Sequence, residues 1–263
     1  MPLAPVRLLS PSRTIRIPPR ATYFNGVNAY AVVSPFTVYG WSEITVAEWF
    51  YPVWPKANNY WSKFSMIGDY WTDRPSVFWG MDNRYDYTWL AILWVTRKPD
   101  GTARVYSYNI YSYAVKQWVF TAYRFTSARE YSVYVNGVKK YSATVPADYK
   151  TVLEWNPDTA TYPGRYKRFV LGESSALGEP MTMYQSMLLI YTRALSDAEI
   201  QQIYYYPYDP PRNGLVLWLD WTSLDCASGM WYDKSGFGNH ATLYNVQCVD
   251  TTKKPTRVLS PVR

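Results

Sequence analysis

From Tyr23 onward, apolar and polar residues alternate in short runs closed by Gly, Pro, Asn or Asp, the pattern of half-buried β-strands. Residues 45–50, 76–81, 90–97 and 102–113 each predict a strand, with Pro52 and Pro55 closing the first and Asp82-Asn83 the second. The last two flank Pro99-Asp100-Gly101, which suits a hairpin connection. A further hairpin joins 130–135 to 138–145 across Asn136-Gly137, residues that tolerate the positive φ of a type I′ turn. Within it Tyr131, Val133 and Val135 alternate with Ser132, Tyr134 and Asn136, which predicts one buried face. Ser196-Asp197-Ala198-Glu199 has the form of a capping box and predicts a short helix over 197–205, stopped before Pro207. A Pro-rich connector, 206–212, then leads to the continuous apolar run 215–219. The expected class is all-β, a two-sheet antiparallel sandwich with one short helix.

Composition strengthens this reading. The chain has 263 residues, of which 19% are aromatic (27 Tyr and 13 Trp) and 18% charged. Aromatic side chains suit a pleated, half-buried surface, and a chain of this length can bury a large core as one sandwich. Tyr and Trp also combine a flat apolar body with a polar tip, a chemistry suited to carbohydrate or protein contacts.

Charge changes the picture at the ends. The net charge is +7. Residues 1–20 hold Arg7, Arg13, Arg16 and Arg20 and no acid; residues 251–263 hold Lys253, Lys254, Arg257 and Arg263 and no acid. Without these eight cations the remainder has 19 basic and 20 acidic residues. The chain therefore divides into a basic Pro-rich N-terminal arm (1–20), a sandwich (21–250) and a basic tail (251–263). Such ends can neutralise phosphates or an acidic neighbouring subunit, or simply keep the protein soluble. Nucleic acid, if a partner at all, is expected only through them.

Cys226 and Cys248 are 22 positions apart, a spacing open to a disulfide between strands or to two buried thiols. The apolar runs 90–95 and 215–219 are too short to cross a bilayer, and Pro and Arg interrupt the first twenty residues where a secretory signal would be apolar. An extracellular or particle-surface location is expected, without a recognisable signal or membrane span.

Several segments resemble the concanavalin A-like, laminin-G-like jelly-roll domains of adhesive and carbohydrate-associated proteins. Tyr23-Phe24-Asn25-Gly26-Val27-Asn28-Ala29-Tyr30-Ala31-Val32 is similar to that family's early "F-D-G-x-x-D-Y-V" strand, and residues 36–49 to the segment ending "T-I-S-x-W". Lys116-Gln117-Trp118-Val119 with residues 131–138 resembles "W-H-H-V … Y-V-N-G-V". Ile190-Tyr191-Thr192-Arg193-Ala194-Leu195-Ser196-Asp197-Ala198-Glu199-Ile200 is similar to the closing "I-Y-N-R-A-L-S-D-A-E-I". The family's opening stands at the end of this chain: residues 214–219 resemble "G-L-V-x-x-W", and residues 233–244 resemble "D-x-S-G-x-G-N-H-x-x-L". The resemblance thus implies a circular permutation in which 214–250 supply the first strands, either to their own sandwich or to a neighbour's. In keeping with duplication and trimming, Arg7-Leu8-Leu9-Ser10-Pro11-Ser12-Arg13 and Arg257-Val258-Leu259-Ser260-Pro261-Val262-Arg263 agree at five of seven positions. The family's "G-x-I-D-E-V" is departed from at Gln185-Ser186-Met187-Leu188-Leu189, where the acidic pair is gone.

Chemistry points away from catalysis. Glycoside hydrolases of related fold resemble "E-x-D-x-x-E" along one strand, since retaining hydrolysis needs two neighbouring carboxylates. No such run occurs; Asp82 and Asp86 lie in a turn-like stretch around Arg84. His240 is the single histidine and reads as a loop hydrogen-bonder, and one His with two Cys cannot make the usual zinc clusters. No cofactor is expected; calcium is the one candidate ion, with Asp82, Asn83 and Asp86 as oxygen donors. Two functions remain. One is a non-catalytic, lectin-like module contacting glycans or cell-surface proteins, with Trp71, Tyr85, Tyr87 and Trp89 stacking on sugars beside Asp82, Asn83 and Arg84. The other is a structural subunit of a virion, filament or surface layer that self-associates or joins other subunits through its basic arms.

Overall fold

The computed structural model describes residues 18–53, 61–68, 75–82, 89–110, 117–159, 163–173 and 180–253, with backbone only at 61–64, 77–82, 89–93, 109–110 and 253. Two antiparallel sheets face each other. The strands are β1 (Arg20–Asn25), β2 (Tyr30–Val33), β3 (Ile44–Pro52), β4 (Trp61–Gly68), β5 (Ser76–Asp82), β6 (Trp89–Arg97), β7 (Ala103–Ile110), β8 (Val119–Phe125), β9 (Glu130–Val135), β10 (Val138–Thr144), β11 (Phe169–Leu171) and β12 (Thr182–Tyr191). The helix α1 (Asp197–Tyr205) follows, then β13 (Leu215–Asp220), β14 (Leu224–Asp225), β15 (Met230–Trp231), β16 (Ala241–Tyr244) and β17 (Gln247–Asp250). The first sheet runs β10-β9-β8-β3-β12-β1-β17, with β13 also on β12; the second runs β14-β15-β16-β2-β11-β4-β5-β6-β7.

Strands from the last fifty residues are shared between both sheets. β13 lies along the second half of β12 (Leu188 opposite Leu219), β17 lies along β1 (Thr22 opposite Cys248), and β16 lies along β2 (Val32 opposite Thr242). Their side chains enter the common core, where Leu217, Leu219, Leu224, Trp231 and Ala241 pack with Phe24, Val46, Trp94 and Leu188. Cys226 and Cys248 are bonded, with Cα atoms 5.8 Å apart. Because Cys226 follows β14 of the second sheet and Cys248 sits in edge strand β17 of the first, this bond fastens the two sheets along their open side. The segment 233–240 braces β13: Asp233 accepts from the Trp218 amide at 2.9 Å and from the Asn239 amide at 2.9 Å, while the Asn239 side chain donates to the Val216 carbonyl. His240 belongs to this brace, its Nδ1 accepting from the Asp233 amide.

The outer face of the first sheet is partly covered by α1. Ile200, Ile203 and Tyr204, spaced as one helical face, are buried there with Trp49 and Phe120, and Tyr204 stacks on Trp49 at 5.6 Å. The capping box is formed, and the Arg193 guanidinium together with the Ser196 amide holds the Glu199 carboxyl down to about 2. Asn136 and Gly137 both have positive φ, as a type I′ turn needs. A Cβ at residue 137 would also come within 3.0 Å of the Tyr204 ring, so the turn tip requires glycine on two counts.

Two expectations change. β9 is buried on both faces rather than one. The helix explains it: the Tyr134 hydroxyl donates to Asp197 at 2.6 Å, and Arg124 pairs with the same carboxylate at 2.9 Å, so a face that reads as solvent-exposed lies under α1. The N-terminal arm ends earlier than residue 20, because Arg20 opens β1 opposite Asp250.

Candidate recognition face

Strand ends decide what can gather at each end of the sandwich. Pro52 of β3 is level with Met183 of β12, Phe50 with Val119 of β8, and Asn25 of β1 with Thr182, so these termini share one end of the first sheet. In the second sheet Trp61, Asp82, Trp89 and the stretch around Ile110 are level with one another. The chain crosses between sheets from β3 to β4, β7 to β8 and β11 to β12 at this same end. We call it the lower end.

On the outer face of the first sheet, at the lower end, a row of rings crosses three strands and reaches the residue before β8. Tyr23 of β1 is opposite Tyr184 of β12, which is opposite Tyr51 of β3. Their centroids are 4.9 Å (Tyr23 to Tyr184) and 5.6 Å (Tyr184 to Tyr51) apart, and Trp118 closes the row 5.8 Å from Tyr51. Planes tilt by 35°, 78° and 65° along it, so ring edges and ring faces alternate rather than forming one flat plate. The three tyrosines are half-buried and Trp118 is buried beneath them. Exposed Gln247, opposite Tyr23, extends the row with an amide, and half-buried Asn25 and Thr182 flank it one ladder step below.

Two backbone features build the row. A bulge in β12 between Gln185 and Met187 shifts its register on β3. Without it, Tyr184 and Met187 would point to opposite faces; with it, both join the outer cluster. The turn after β1 is drawn tight by Asn25, whose side-chain oxygen accepts from the amides of Val27, Asn28 and Ala29. Gly26 follows at φ +67°, and a Cβ there would collide with Thr182 Oγ1 at 2.2 Å, so the turn can lie against β12 only with glycine.

The inward face of β3 carries the contrasting group. Glu48 is fully buried between the sheets, accepting from Ser65 at 2.6 Å and from the Gln185 amide at 2.8 Å. It links the two sheets. Tyr123 and Tyr131 lie in the same interior, and burial pushes both phenols well above their usual range. Among the described residues, no three His, Cys, Asp or Glu side chains stand together as a metal site. No helix among them is long and apolar enough to cross a membrane.

Of the residues singled out in the sequence, Trp71, Asn83, Arg84, Tyr85, Asp86 and Tyr87 lie outside the described residues. Asp82 closes β5 and Trp89 opens β6, directly opposite each other at the lower end; only their backbones are described. Arg7, Arg13, Arg16, Lys254, Arg257 and Arg263 also lie outside, and Lys253 ends a 3-10 turn over Thr251–Lys253. The row of Tyr23, Tyr51, Trp118 and Tyr184 was not among the candidates. Its members come from four distant stretches of sequence, and only the ladder registers show that they are neighbours.

No family model matches the chain, and no curated protein matches it significantly. Solved structures do. A Bacteroides ovatus protein described as a candidate carbohydrate-binding protein superposes with TM-score 0.61 at 13% identity, over 91% of this chain and 62% of that one. The tailspike protein 2 enzymatically active domain of bacteriophage CBA120 gives TM-score 0.52 at 13% identity, over 74% and 29%. The binding domain of botulinum neurotoxin serotype D gives 0.50 at 13% identity, over 70% and 42%. This chain therefore spans less than two thirds of each. At these identities the likeness establishes one thing, the fold: an antiparallel β-sandwich.

Proposed function

We propose that the chain is a non-catalytic recognition module, on a particle or cell surface, that binds glycans through the lower end of the first sheet's outer face. The observation that carries this reading is the aromatic row ending in the Gln247 amide. Half-buried tyrosines offer ring surface to the apolar face of a sugar, and amides and hydroxyls beside them can satisfy its hydroxyls. Two further observations support it. The core carboxylate Glu48 is fully buried between the sheets and hydrogen-bonded to Ser65 and Gln185. The fold is also used by the B. ovatus candidate carbohydrate-binding protein across most of this chain. The tailspike domain, an enzymatically active one, makes a hydrolysis assay the natural control.

A glycan array probed with the full chain tests the proposal. At least one glycan class is expected to bind without being cleaved, and Tyr51→Ala with Tyr184→Ala should weaken that binding roughly 30-fold. That corresponds to two aromatic contacts of about 1 kcal/mol each. An empty array, or unchanged binding by a folded double variant, would count against the row.

We also infer that the chain is a circularly permuted member of the concanavalin/laminin-G-like class. The motifs that open such domains lie in β13 and in the segment that ends in β16, and β17, which follows them, runs antiparallel beside β1, so joining the two ends restores an ordinary loop. A second reading, a structural subunit that assembles through its basic ends, is favoured by one observation. The Thr251 amide donates to the Pro19 carbonyl at 3.0 Å, which sets the two ends side by side.

A further inference from the structure

The row of rings on the first sheet's outer face is closed on one side. At the next outward level, away from the lower end, Ala21, Met187 and Trp49 are fully buried, Trp49 against the ring of Tyr204. What stays open runs across the strands, from Tyr51 through Tyr184 and Tyr23 to the exposed Gln247. β17 is the edge of its sheet, so no further strand blocks a chain that continues past Gln247.

Spacing and orientation set what fits this strip. Each of these side chains stands on a separate strand, and neighbouring strands are ~4.8 Å apart, about the length of one pyranose unit in an extended chain. The ring centroids keep nearly that step, 4.9 Å from Tyr23 to Tyr184 and 5.6 Å from Tyr184 to Tyr51. Three rings and one amide thus stand in line as four stations. Their planes turn by 35° and then by 78° from ring to ring. A single chain that twists between units can meet each ring in turn; the flat side of a packed fibre cannot. Charge narrows the choice further. The charged residues of β1, β3, β12 and β17 are Arg20, Glu48 and Asp250, and all three fall at the alternate positions, off the outward face. The outward positions of these strands therefore offer no cation to a sulfate or uronate and no acid to an amino sugar.

We propose that the ligand is a neutral, linear glycan, bound as a single twisted chain across the strands with one unit at each station. The proposal rests on the recognition role proposed for this row and adds the shape, charge and length of what is bound. Each half-buried tyrosine supports one sugar face, and the Gln247 amide can donate to and accept from the hydroxyls of the last unit.

Calorimetric titration of the full-length chain with neutral oligosaccharides of about two to six units tests this, using the cello-, laminari-, malto- and manno- series. In at least one series affinity should rise roughly fivefold per unit as far as the tetramer and then level off. Added salt should leave it unchanged, because screening acts only on charges. Microcrystalline cellulose should not retain the protein. Gln247→Ala, at an exposed edge position, should keep the melting temperature and bring the levelling point down by one unit; Tyr23→Ala should bring it down by two. A loss of affinity that is equal at every chain length in both variants would contradict the stations. A monosaccharide that binds as tightly as the tetramer, or binding confined to sulfated or uronate chains, overturns the proposal and leaves the recognition role standing. If none of the series binds, the proposal falls, and the glycan array then decides whether the recognition role falls with it.

Discussion

A chain ending at Asp209 should not fold. Truncation there removes β13, β16 and β17 from their places on β12, β2 and β1, uncovering ladder edges in both sheets. It also removes Leu217, Leu219, Leu224, Trp231 and Ala241 from the main core and Leu215 and Trp218 from the outer cluster. The six large side chains among these contribute about 1.5–3 kcal/mol each by burial, on the order of 10–15 kcal/mol together. A whole domain is stable by only about 5–15 kcal/mol, so the remainder has nothing left to hold it. Circular dichroism against temperature is the check. The full chain should melt cooperatively, and the truncated chain should show no transition and bind a hydrophobic dye. A cooperative transition in the truncated chain would mean that residues 18–209 are a domain by themselves.

The second large effect belongs to the disulfide. Cys226→Ala with Cys248→Ala, or reduction, frees the edge strand β17 from the turn after β14. Closing a loop of this sequence separation, 22 residues, restricts the unfolded chain by roughly 3 kcal/mol. For a chain of this size that lowers the melting temperature by roughly 6–12 °C. β17 should be the first strand to open, so hydrogen exchange at 247–250 should rise before exchange at the centre of β3 or β12. A melting curve indifferent to reductant would show that the pairing on β1 suffices.

Much of this fold can be read from residue order. The Asn136-Gly137 hairpin, the Ser196–Glu199 cap and the apolar run of β13 have local signals, and each element lies within a residue or two of where its pattern places it. The family-like motifs at both ends of the chain give the reason to seek β13 and β16 beside strands that come first in sequence. What could not be read depends on contacts across long separations. Tyr134 looks like the wet side of a hairpin until α1 covers it with Asp197. Arg20 looks like part of a charged arm until Asp250 lies opposite it. The aromatic row needs three ladder registers and one bulge to assemble, none of which is encoded within any one strand. Glu48 carries no local mark of burial either; its alternating neighbours Val46 and Phe50 place it inward, and Ser65 and Gln185 from two other strands make that tolerable.

The claim on which the rest depends is that β17 and β1 are neighbours within one chain. It is tested most directly by relinking: a chain that begins at Pro210, runs to Arg263, continues at Thr14 and ends at Asp209. In it the connection from Asp250 to Arg20 is residues 251–263 followed by 14–19, an ordinary surface loop. The relinked protein should be monomeric by light scattering, with the Cys226–Cys248 bond intact and a melting temperature within a few degrees of the original. A relinked chain that fails to fold, or that folds only as a dimer exchanging its first fifty residues, would show that β13 to β17 do not complete the sandwich from which they extend.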